Sequence, residues 1–295
     1  MSNLPASIRK KLAEEYTLVP GRLNTELKGG DGTIKLGIEL DDGVIIETVL
    51  LSDGKGRKTA CISTQAGCPV GCVFCKTGTL GFRRNLSASE IAGQFLYLKS
   101  RAPETTHIVV MGMGEPLLNP VELRKAINFF TEEAGLNISK RRITISTCGI
   151  ERGIEELLDK GPHVRLSLSL NSANEGLRKR LMPRARDSLF NLKNQLLKYR
   201  DIHRITLEVV LLRGINTGKD EARAITDYNL GLDAHINLIP WNKVEGLEFE
   251  GRELERPGNR EIEDFASELK KMGLKVTVRM GKGGSISGAC GQLGR

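Results

Sequence analysis

Apolar and polar residues alternate in two short runs near the amino terminus, residues 34–40 and 44–51, and an Asp-Asp-Gly turn at residues 41–43 joins them. Such alternation is typical of strands with one buried face, and an Asp-Gly pair between two runs favours a tight hairpin. Residues 4–16 carry apolar side chains at helical spacing instead. The chain is therefore predicted to begin with a short amphipathic helix and a β-hairpin.

From residue 58 onward, short apolar runs are separated by helical segments, a pattern typical of βα units and a mainly parallel sheet. Strands are predicted at residues 59–63, 107–111, 142–147, 164–170, 205–212 and 234–239. Helices are predicted at residues 87–98, 120–133, 154–159, 189–199, 221–229 and 261–272. The first of these helices opens with Ser87-Ala88-Ser89-Glu90, a capping box.

These elements make about six βα units, fewer than the eight of a full TIM barrel. The sequence therefore predicts an α/β fold, an open partial TIM barrel over residues 58–295, with the helix and hairpin as a small extension over residues 1–57. Catalytic groups of such barrels lie at the carboxyl ends of the strands. The wide lateral mouth of an open barrel suits a macromolecular substrate.

The composition is that of a globular protein, with 39% hydrophobic and 27% charged residues among 295. The amino terminus lacks the apolar run of a signal peptide, and no stretch approaches the roughly 20 apolar residues of a membrane span. A cytoplasmic protein without a membrane partner is expected. The net charge of +8 is compatible with a polyanionic partner. Six cysteines without a secretory signal favour metal-binding or catalytic thiols over disulfides.

Three of the cysteines, Cys68, Cys72 and Cys75, are spaced C-x-x-x-C-x-x-C after the first predicted strand of the barrel. Pro69 and Gly71 permit an irregular backbone between them. Three thiolates in such a loop can hold three corners of a 4Fe-4S cube and leave the fourth iron open. The methionine part of S-adenosylmethionine (SAM) could chelate that iron. The alternative is a structural zinc site, but zinc prefers four closed ligands and no fourth Cys or His lies nearby.

The motif around these cysteines, CPVGCVFC at residues 68–75, resembles the signature of radical SAM enzymes. Several longer segments narrow the resemblance to the RlmN/Cfr family, which methylates an adenine in RNA. These segments are CISTQAGC at 61–68, GFRRNL at 81–86, MGMGEP at 111–116, KRRIT at 140–144, INLIPWN at 236–242 and ACGQL at 289–293. The resemblance implies a radical SAM core with one 4Fe-4S cluster on Cys68, Cys72 and Cys75. It also implies ribosomal or transfer RNA as substrate and an electron donor such as flavodoxin.

The resemblance further implies a set of SAM-binding positions. They are Gly114, Glu115, Ser146, Ser169, Leu170, Asn171 and Asn242. Glu115 follows a predicted strand and could offer its carboxylate to the ammonium group of SAM, although a Gly-Glu turn by itself is typical of an ordinary βα loop. Asn171 departs from the family, which usually has histidine there; asparagine can still form hydrogen bonds but lacks the charge of an imidazolium.

Three residues are implied as catalytic: Cys290, Cys61 and Glu47. In the family, one SAM methylates the sulfur of the cysteine at position 290, and a radical from a second SAM takes hydrogen from that methyl group. The resulting carbon radical adds to carbon 2 of adenine. Glu47 would remove the ring proton, and Cys61 would release the product, leaving a transient disulfide with Cys290 that reductants reopen.

Without the resemblance, the residue types alone favour structural rather than catalytic interpretations of the same positions. Cys290 would be a buried apolar cysteine, and Glu47 an outward carboxylate on a strand. Glu39 is the nearest rival to Glu47 but lies on the other strand of the hairpin. Cys148 is assigned to packing.

Several basic clusters could track the phosphates of a nucleic acid, or could simply form a solvated charged face. They are Lys55 with Arg57 and Lys58, Arg83 with Arg84, residues 140–142, and residues 178–180 with Arg184 and Arg186.

The family's usual N-terminal helical domain precedes the segment that matches Leu4-Pro5, and this chain is expected to lack it. Three alternatives stay open at the level of sequence: methylation at carbon 8 of adenine, radical SAM chemistry on another substrate, and a non-catalytic metal-containing RNA-binding protein.

Overall fold

A ten-stranded sheet forms the centre of the structure, a computed structural model that describes residues 4–15 and 19–294. Its strands are β1 (Arg22–Lys28), β2 (Ile34–Glu39), β3 (Ile45–Ser52), β4 (Lys58–Cys61), β7 (His107–Val110), β8 (Ile143–Thr147), β9 (Arg165–Ser169), β10 (Ile205–Leu211), β11 (His235–Pro240) and β14 (Val276–Val278), in this order across the sheet. Short ribbons are formed by β5 (Gln65–Gly67) with β6 (Phe82–Asn85) and by β12 (Glu248–Phe249) with β13 (Arg252–Glu253).

Neighbouring strands from β4 to β14 run parallel, whereas β1 to β4 pair antiparallel. The helices are α1 (Ala6–Glu15), α2 (Lys76–Thr79), α3 (Ala88–Arg101), α4 (Pro120–Thr131), α5 (Glu151–Lys160), α6 (Glu175–Leu181), α7 (Leu189–Arg200), α8 (Lys219–Asn229) and α9 (Asn259–Lys271). The predicted α/β fold with an open parallel barrel is confirmed. The capping box is present at the start of α3, where Ser87 and Glu90 cap each other's backbone amides.

Two strands of the sheet have no counterpart in the sequence prediction, and both lie at its edges. β1 has no buried residue, and β14 is three residues long with one residue exposed and none buried. Edge strands bury little surface, so their sequences carry little of the alternation from which strands are predicted. The predicted helix at residues 4–16 is found as α1, with Tyr16 outside the described residues and no buried side chain.

The N-terminal hairpin continues directly into the barrel. Residues of β3 pair with β4 in the same sheet, with Val49 opposite Cys61 and Leu51 opposite Thr59. The predicted division of the chain between residues 57 and 58 stays a prediction. Among the described residues, no helix is long and apolar enough to cross a membrane.

Residues 279–294, here called the C-terminal segment, run from β14 back to the N-terminal strands. Gly283 N–H donates to Asp31 at 2.8 Å, in the turn between β1 and β2. Lys35 Nζ donates to the carbonyl of Ser287 at 3.2 Å, and Thr77 Oγ1 donates to the carbonyl of Leu293 at 2.6 Å. These bonds fasten both ends of the segment, so the loop that carries Cys290 lies over the carboxyl end of the barrel.

Candidate functional site

A cavity of about 160 Å³, here called the central cavity, lies at the carboxyl ends of the parallel strands. Its wall contains most of the residues that the sequence proposed as a site. These are Cys68, Cys72, Cys75, Gly114, Glu115, Ser146, Ser169, Asn171, Asn242 and Cys290. The predicted placement of catalytic groups at this end of the barrel agrees with the arrangement seen in barrel enzymes.

The loop that carries the three clustered cysteines packs on a second, smaller apolar core, which includes Phe74 and Trp241. The indole Nε1 of Trp241 donates to the carbonyl of Phe74 at 2.9 Å and ties the loop to the end of β11. Gly78 allows the close turn that follows, because a Cβ atom there would lie 2.7 Å from the carbonyl oxygen of Cys72. The backbone around the cysteines is thus held in place by packing and hydrogen bonds.

Burial raises the pKa of Cys68 to about 12 and also raises the pKa of Cys72 and Cys75. Each neutral thiol would lose its proton on binding a metal, because coordination favours the thiolate. Three thiols that line one cavity fit a 4Fe-4S cube, in which each thiolate binds a different iron. Among the described residues, no three His, Cys, Asp or Glu side chains lie close enough together to hold a single metal ion.

Glu115 also lines the central cavity and is only 3% exposed. Its carboxylate accepts hydrogen bonds from Thr147 Oγ1 at 2.6 Å and from the backbone N–H of Cys148 at 2.7 Å. Burial nevertheless raises its pKa. Gly114 has φ +100°, and a Cβ there would meet Gln65 Cβ at 2.5 Å, so only glycine fits this turn. Gly114 and Glu115 follow β7, and the carboxylate of Glu115 binds Thr147 at the end of β8.

The other predicted SAM residues line the floor of the same cavity, with one exception. Ser146 Oγ lies 3.2 Å from Ser169 Oγ and donates to Glu208 at 2.9 Å. Asn171 adopts φ +57°, and its Oδ1 accepts from the N–H of Val210 at 2.9 Å. Leu170 is the exception, since its side chain is fully buried in the main apolar core.

A neighbouring cavity of about 220 Å³, here called the lateral cavity, is lined by both Cys61 and Cys290. Cys290 also lines the central cavity, so it stands at the junction of the two. Asn242 Nδ2 donates to the carbonyl of Cys290 at 3.0 Å. The two cysteines are 229 positions apart in the chain, and the fold brings them to one cavity.

Arg279 is a residue of this site that the sequence interpretation missed. It lines the lateral cavity beside Cys61 and Cys290, and the charge of Cys290 is the largest cause that raises its pKa. No motif marked it, because a single arginine at the end of a short edge strand carries no pattern. Cys148, assigned to packing, is buried in the second apolar core.

Glu47 is 1% exposed, in contrast to the outward strand carboxylate that the residues alone suggested. Its Oε1 accepts from Lys35 Nζ at 3.0 Å, and its Oε2 accepts from the N–H of Gly294 at 2.8 Å. Glu47 lines neither the central nor the lateral cavity. The rival carboxylate Glu39 pairs instead with Arg22, which is largely exposed.

Cys61 is expected to react slowly with alkylating agents in the folded protein. Burial raises its pKa to about 12 from an ordinary value of 9.0, and the thiolate is the reactive form. Between pH 7 and 9 its alkylation should rise about tenfold for each pH unit and should stay about 10³-fold slower than that of an exposed thiol. Timed iodoacetamide labelling with peptide mass spectrometry measures this rate, with Cys61→Ser to verify the peptide. Labelling as fast as that of a free thiol would contradict the burial of Cys61.

Residues 62–223 match the model of the radical SAM superfamily. A probable dual-specificity RNA methyltransferase RlmN from Treponema denticola is 50% identical, covering all of this chain and 84% of the relative. The RlmN of Lawsonia intracellularis is 40% identical, over 99% of this chain and 84% of the relative. The crystal structure of a radical SAM methyltransferase from Sphaerobacter thermophilus is 37% identical, with a TM-score of 0.92 over 99% of this chain and 86% of that one. This chain belongs to the radical SAM superfamily and, within it, to the RlmN family of RNA methyltransferases.

Proposed function

We propose that this protein methylates carbon 2 of an adenine in ribosomal RNA, transfer RNA or both, in the cytoplasm. The family implies a 4Fe-4S cluster and SAM. Two SAM molecules would be consumed for each methyl group. The observation that carries the proposal is the position of Cys290 at the junction of two cavities, one lined by the three clustered cysteines and the other by Cys61.

The position of Cys290 suits a methyl carrier. Carbon 2 of adenine is electron-poor and a weak nucleophile, so direct transfer of a methyl cation to it is unfavourable, whereas a carbon radical can add there. When bound, the cluster and SAM supply the radical that activates the methyl group. Cys290 would hold that methyl group between the central cavity, where the radical arises, and the lateral cavity, where we place the base.

Cys61 would complete the reaction by releasing the methylated base from the sulfur of Cys290. Both thiols line the lateral cavity, as a disulfide between them requires. Glu47 would remove the proton from carbon 2. Its carboxylate is bonded to Lys35 and Gly294 and lines neither cavity, so this role requires the end of the C-terminal segment to move aside. Neighbouring Leu293 lines the lateral cavity, which makes that end the part to displace.

The proposal extends to the partners. The relatives from Treponema denticola and Lawsonia intracellularis are RNA methyltransferases by name, which supports RNA as the substrate. An electron donor of the flavodoxin class would reduce the cluster. Methylation at carbon 8, or of a substrate other than RNA, is the competing assignment. The loop with Cys68, Cys72 and Cys75 and the predicted SAM-binding residues would support either reaction equally well.

Mass spectrometry of nucleosides tests the proposal. Ribosomal and transfer RNA are incubated with anaerobically reconstituted protein, SAM and reductant, beside a Cys290→Ala variant. A methyladenosine that depends on Cys290 is expected, and its fragmentation and retention time separate carbon 2 from carbon 8. Formation of 5′-deoxyadenosine without any methylated nucleoside would leave radical SAM chemistry in place and refute RNA as the substrate.

A further inference from the structure

A third cavity, of about 440 Å³, lies at the opposite end of the barrel, where the parallel strands begin. We call it the amino-end cavity. Its lining is strongly basic, and Glu208 is the one acidic side chain in it. The basic members are Arg57, His107, Arg141, Arg142, Arg165, Arg204, His235 and Arg279. Most of them stand at or just before the first residue of a strand, so the parallel register of the sheet brings them into one ring.

Four of the six arginines of this ring lack the usual compensation by carboxylates. Among the described residues, no acidic side chain lies within 4.0 Å of Arg141, Arg142, Arg165 or Arg204. Arg57 pairs with Asp53 at 3.5 Å, and both side chains are partly exposed. Guanidinium groups at this density without counter-charges attract a polyanion.

The other basic clusters of the sequence differ in this respect. Arg84 pairs with Asp42 at 2.6 Å and with Glu90 at 2.9 Å. Arg180 pairs with Glu250 at 2.5 Å, and buried Arg178 donates to the carbonyl of Cys148. Arg84 and Arg180 are therefore compensated by carboxylates and Arg178 is buried, in contrast to the four ring arginines that form no ion pair among the described residues.

The pKa values of the two histidines of the ring are lowered by burial and also by the neighbouring arginines. The pKa of His107 is lowered by burial and then by Arg57 and Arg142. Burial and then Arg204 lower the pKa of His235. Both imidazoles are therefore neutral at neutral pH and can donate or accept hydrogen bonds.

The amino-end cavity adjoins the lateral cavity. Arg57, Thr59, Met111 and Arg279 line both this cavity and the lateral cavity, which Cys61 and Cys290 also line. The ring of arginines therefore lies next to the cavity that holds the two thiols.

We propose that the amino-end cavity binds the phosphates of the substrate RNA beside the target nucleotide and admits the adenine base to Cys290 from this end. The inference rests on the proposed function and specifies its substrate route. An enzyme that acts on a base must take the nucleotide out of its stack, and the flanking phosphates then lie at the mouth of the site. Arginines bind such phosphates with two parallel hydrogen bonds.

An acidic electron-donor protein is the competing occupant. The fold disfavours it, because a donor must approach the iron-sulfur cluster. Cys68, Cys72 and Cys75 line the central cavity at the carboxyl end of the strands, whereas the ring of arginines lies at the amino end.

The test is the salt dependence of RNA binding by an Arg165→Gln/Arg204→Gln variant of the reconstituted protein. The probe is a fluorescent RNA stem-loop that contains the unmodified adenine that the enzyme methylates. Between about 50 and 200 mM salt, we expect the slope of log affinity against log salt to fall by about 0.7 to 0.9 for each lost phosphate contact. The dissociation constant should rise about tenfold, and methylation should show a higher KM with kcat changed less than about twofold. A Lys270→Gln/Lys271→Gln variant on exposed α9 removes the same charge elsewhere and should behave as wild type.

Two results would overturn the inference. The first is an unchanged affinity and salt slope in the double arginine variant while the wild-type protein methylates the RNA. The second is normal RNA binding with slower reduction of the cluster by flavodoxin, which would assign the ring to the electron donor. Failure of the wild-type protein to methylate any RNA is a separate result, which refutes the proposed function.

Discussion

Replacement of Cys61 by alanine is expected to trap the protein covalently bonded to its RNA. Apart from Cys290, Cys61 is the only cysteine among the described residues that line the lateral cavity. Without it, the bond between the Cys290 sulfur, the transferred carbon and the base has no thiol to resolve it. Release of methylated RNA should fall by about 10³-fold or more, as for loss of other catalytic nucleophiles. Denaturing gels before and after nuclease treatment measure the trapped species, and mass spectrometry of the nucleotide adduct on Cys290 identifies it.

Cys148→Ala is the matched control, because Cys148 is 6% exposed and Cys61 is 7% exposed. Cys148 lines the central cavity and not the lateral cavity, and its backbone N–H, which donates to Glu115, is kept in the alanine variant. Its variant should release methylated RNA and accumulate no adduct. Normal turnover by Cys61→Ala would contradict the assignment of Cys61 as the resolving thiol.

The parts of the structure that were predictable from sequence are those encoded by neighbouring residues. Apolar runs of buried parallel strands and the capping box of α3 are local signals. The proximity of Cys68, Cys72 and Cys75 is equally local, because a short loop cannot separate them widely. Local pattern therefore predicted both the barrel and the position of the cluster site.

The proximity of Cys61 and Cys290, in contrast, is not encoded by neighbouring residues. It depends on the pairing of β4 within the sheet and on the path of the C-terminal segment across the barrel. Neither the strand pairing nor the path of the segment can be predicted from residues adjacent in sequence. Only the family resemblance therefore suggested that Cys61 and Cys290 act together. Only part of the arginine ring was predicted, because Arg57 and residues 140–142 belong to basic clusters that the sequence shows. Arg165 and Arg204 are single residues at the starts of separate strands, and only the parallel register of β9 and β10 brings them together.

Glu47 shows how tertiary contacts can bury a residue that the local sequence pattern predicts to be exposed. Glu47 alternates with apolar neighbours on β3, which usually indicates a solvent-facing side chain. The C-terminal segment covers this face of the strand instead, and Gly294 and Lys35 supply the bonds that the buried carboxylate needs. Sequence-distant residues thus decide whether the position is a surface carboxylate or a buried one.

Replacement of Lys35 by methionine is expected to destabilise the protein strongly. The side chains of Lys35 and Glu47 are 5% and 1% exposed, with Nζ and Oε1 3.0 Å apart. Removing one partner of such a buried ion pair typically costs about 3–5 kcal/mol of the free energy of unfolding, because the buried carboxylate loses the ammonium group beside it. Urea unfolding measures the change. Arg22→Met, which breaks the more exposed pair with Glu39, should leave the free energy of unfolding nearly unchanged.

The double variant Lys35→Met/Glu47→Met separates the structural role of this pair from its chemical role. Replacing a buried ion pair by apolar side chains of similar volume is often neutral, so the double variant should recover part of the lost stability, although the bonds to Ser287 and Gly294 are lost as well. It should still fail to release methylated RNA and should accumulate the covalent adduct, because the proposed base is missing. Turnover near the wild-type rate in this stable variant would show that Glu47 supports the C-terminal segment and takes no part in removing the proton.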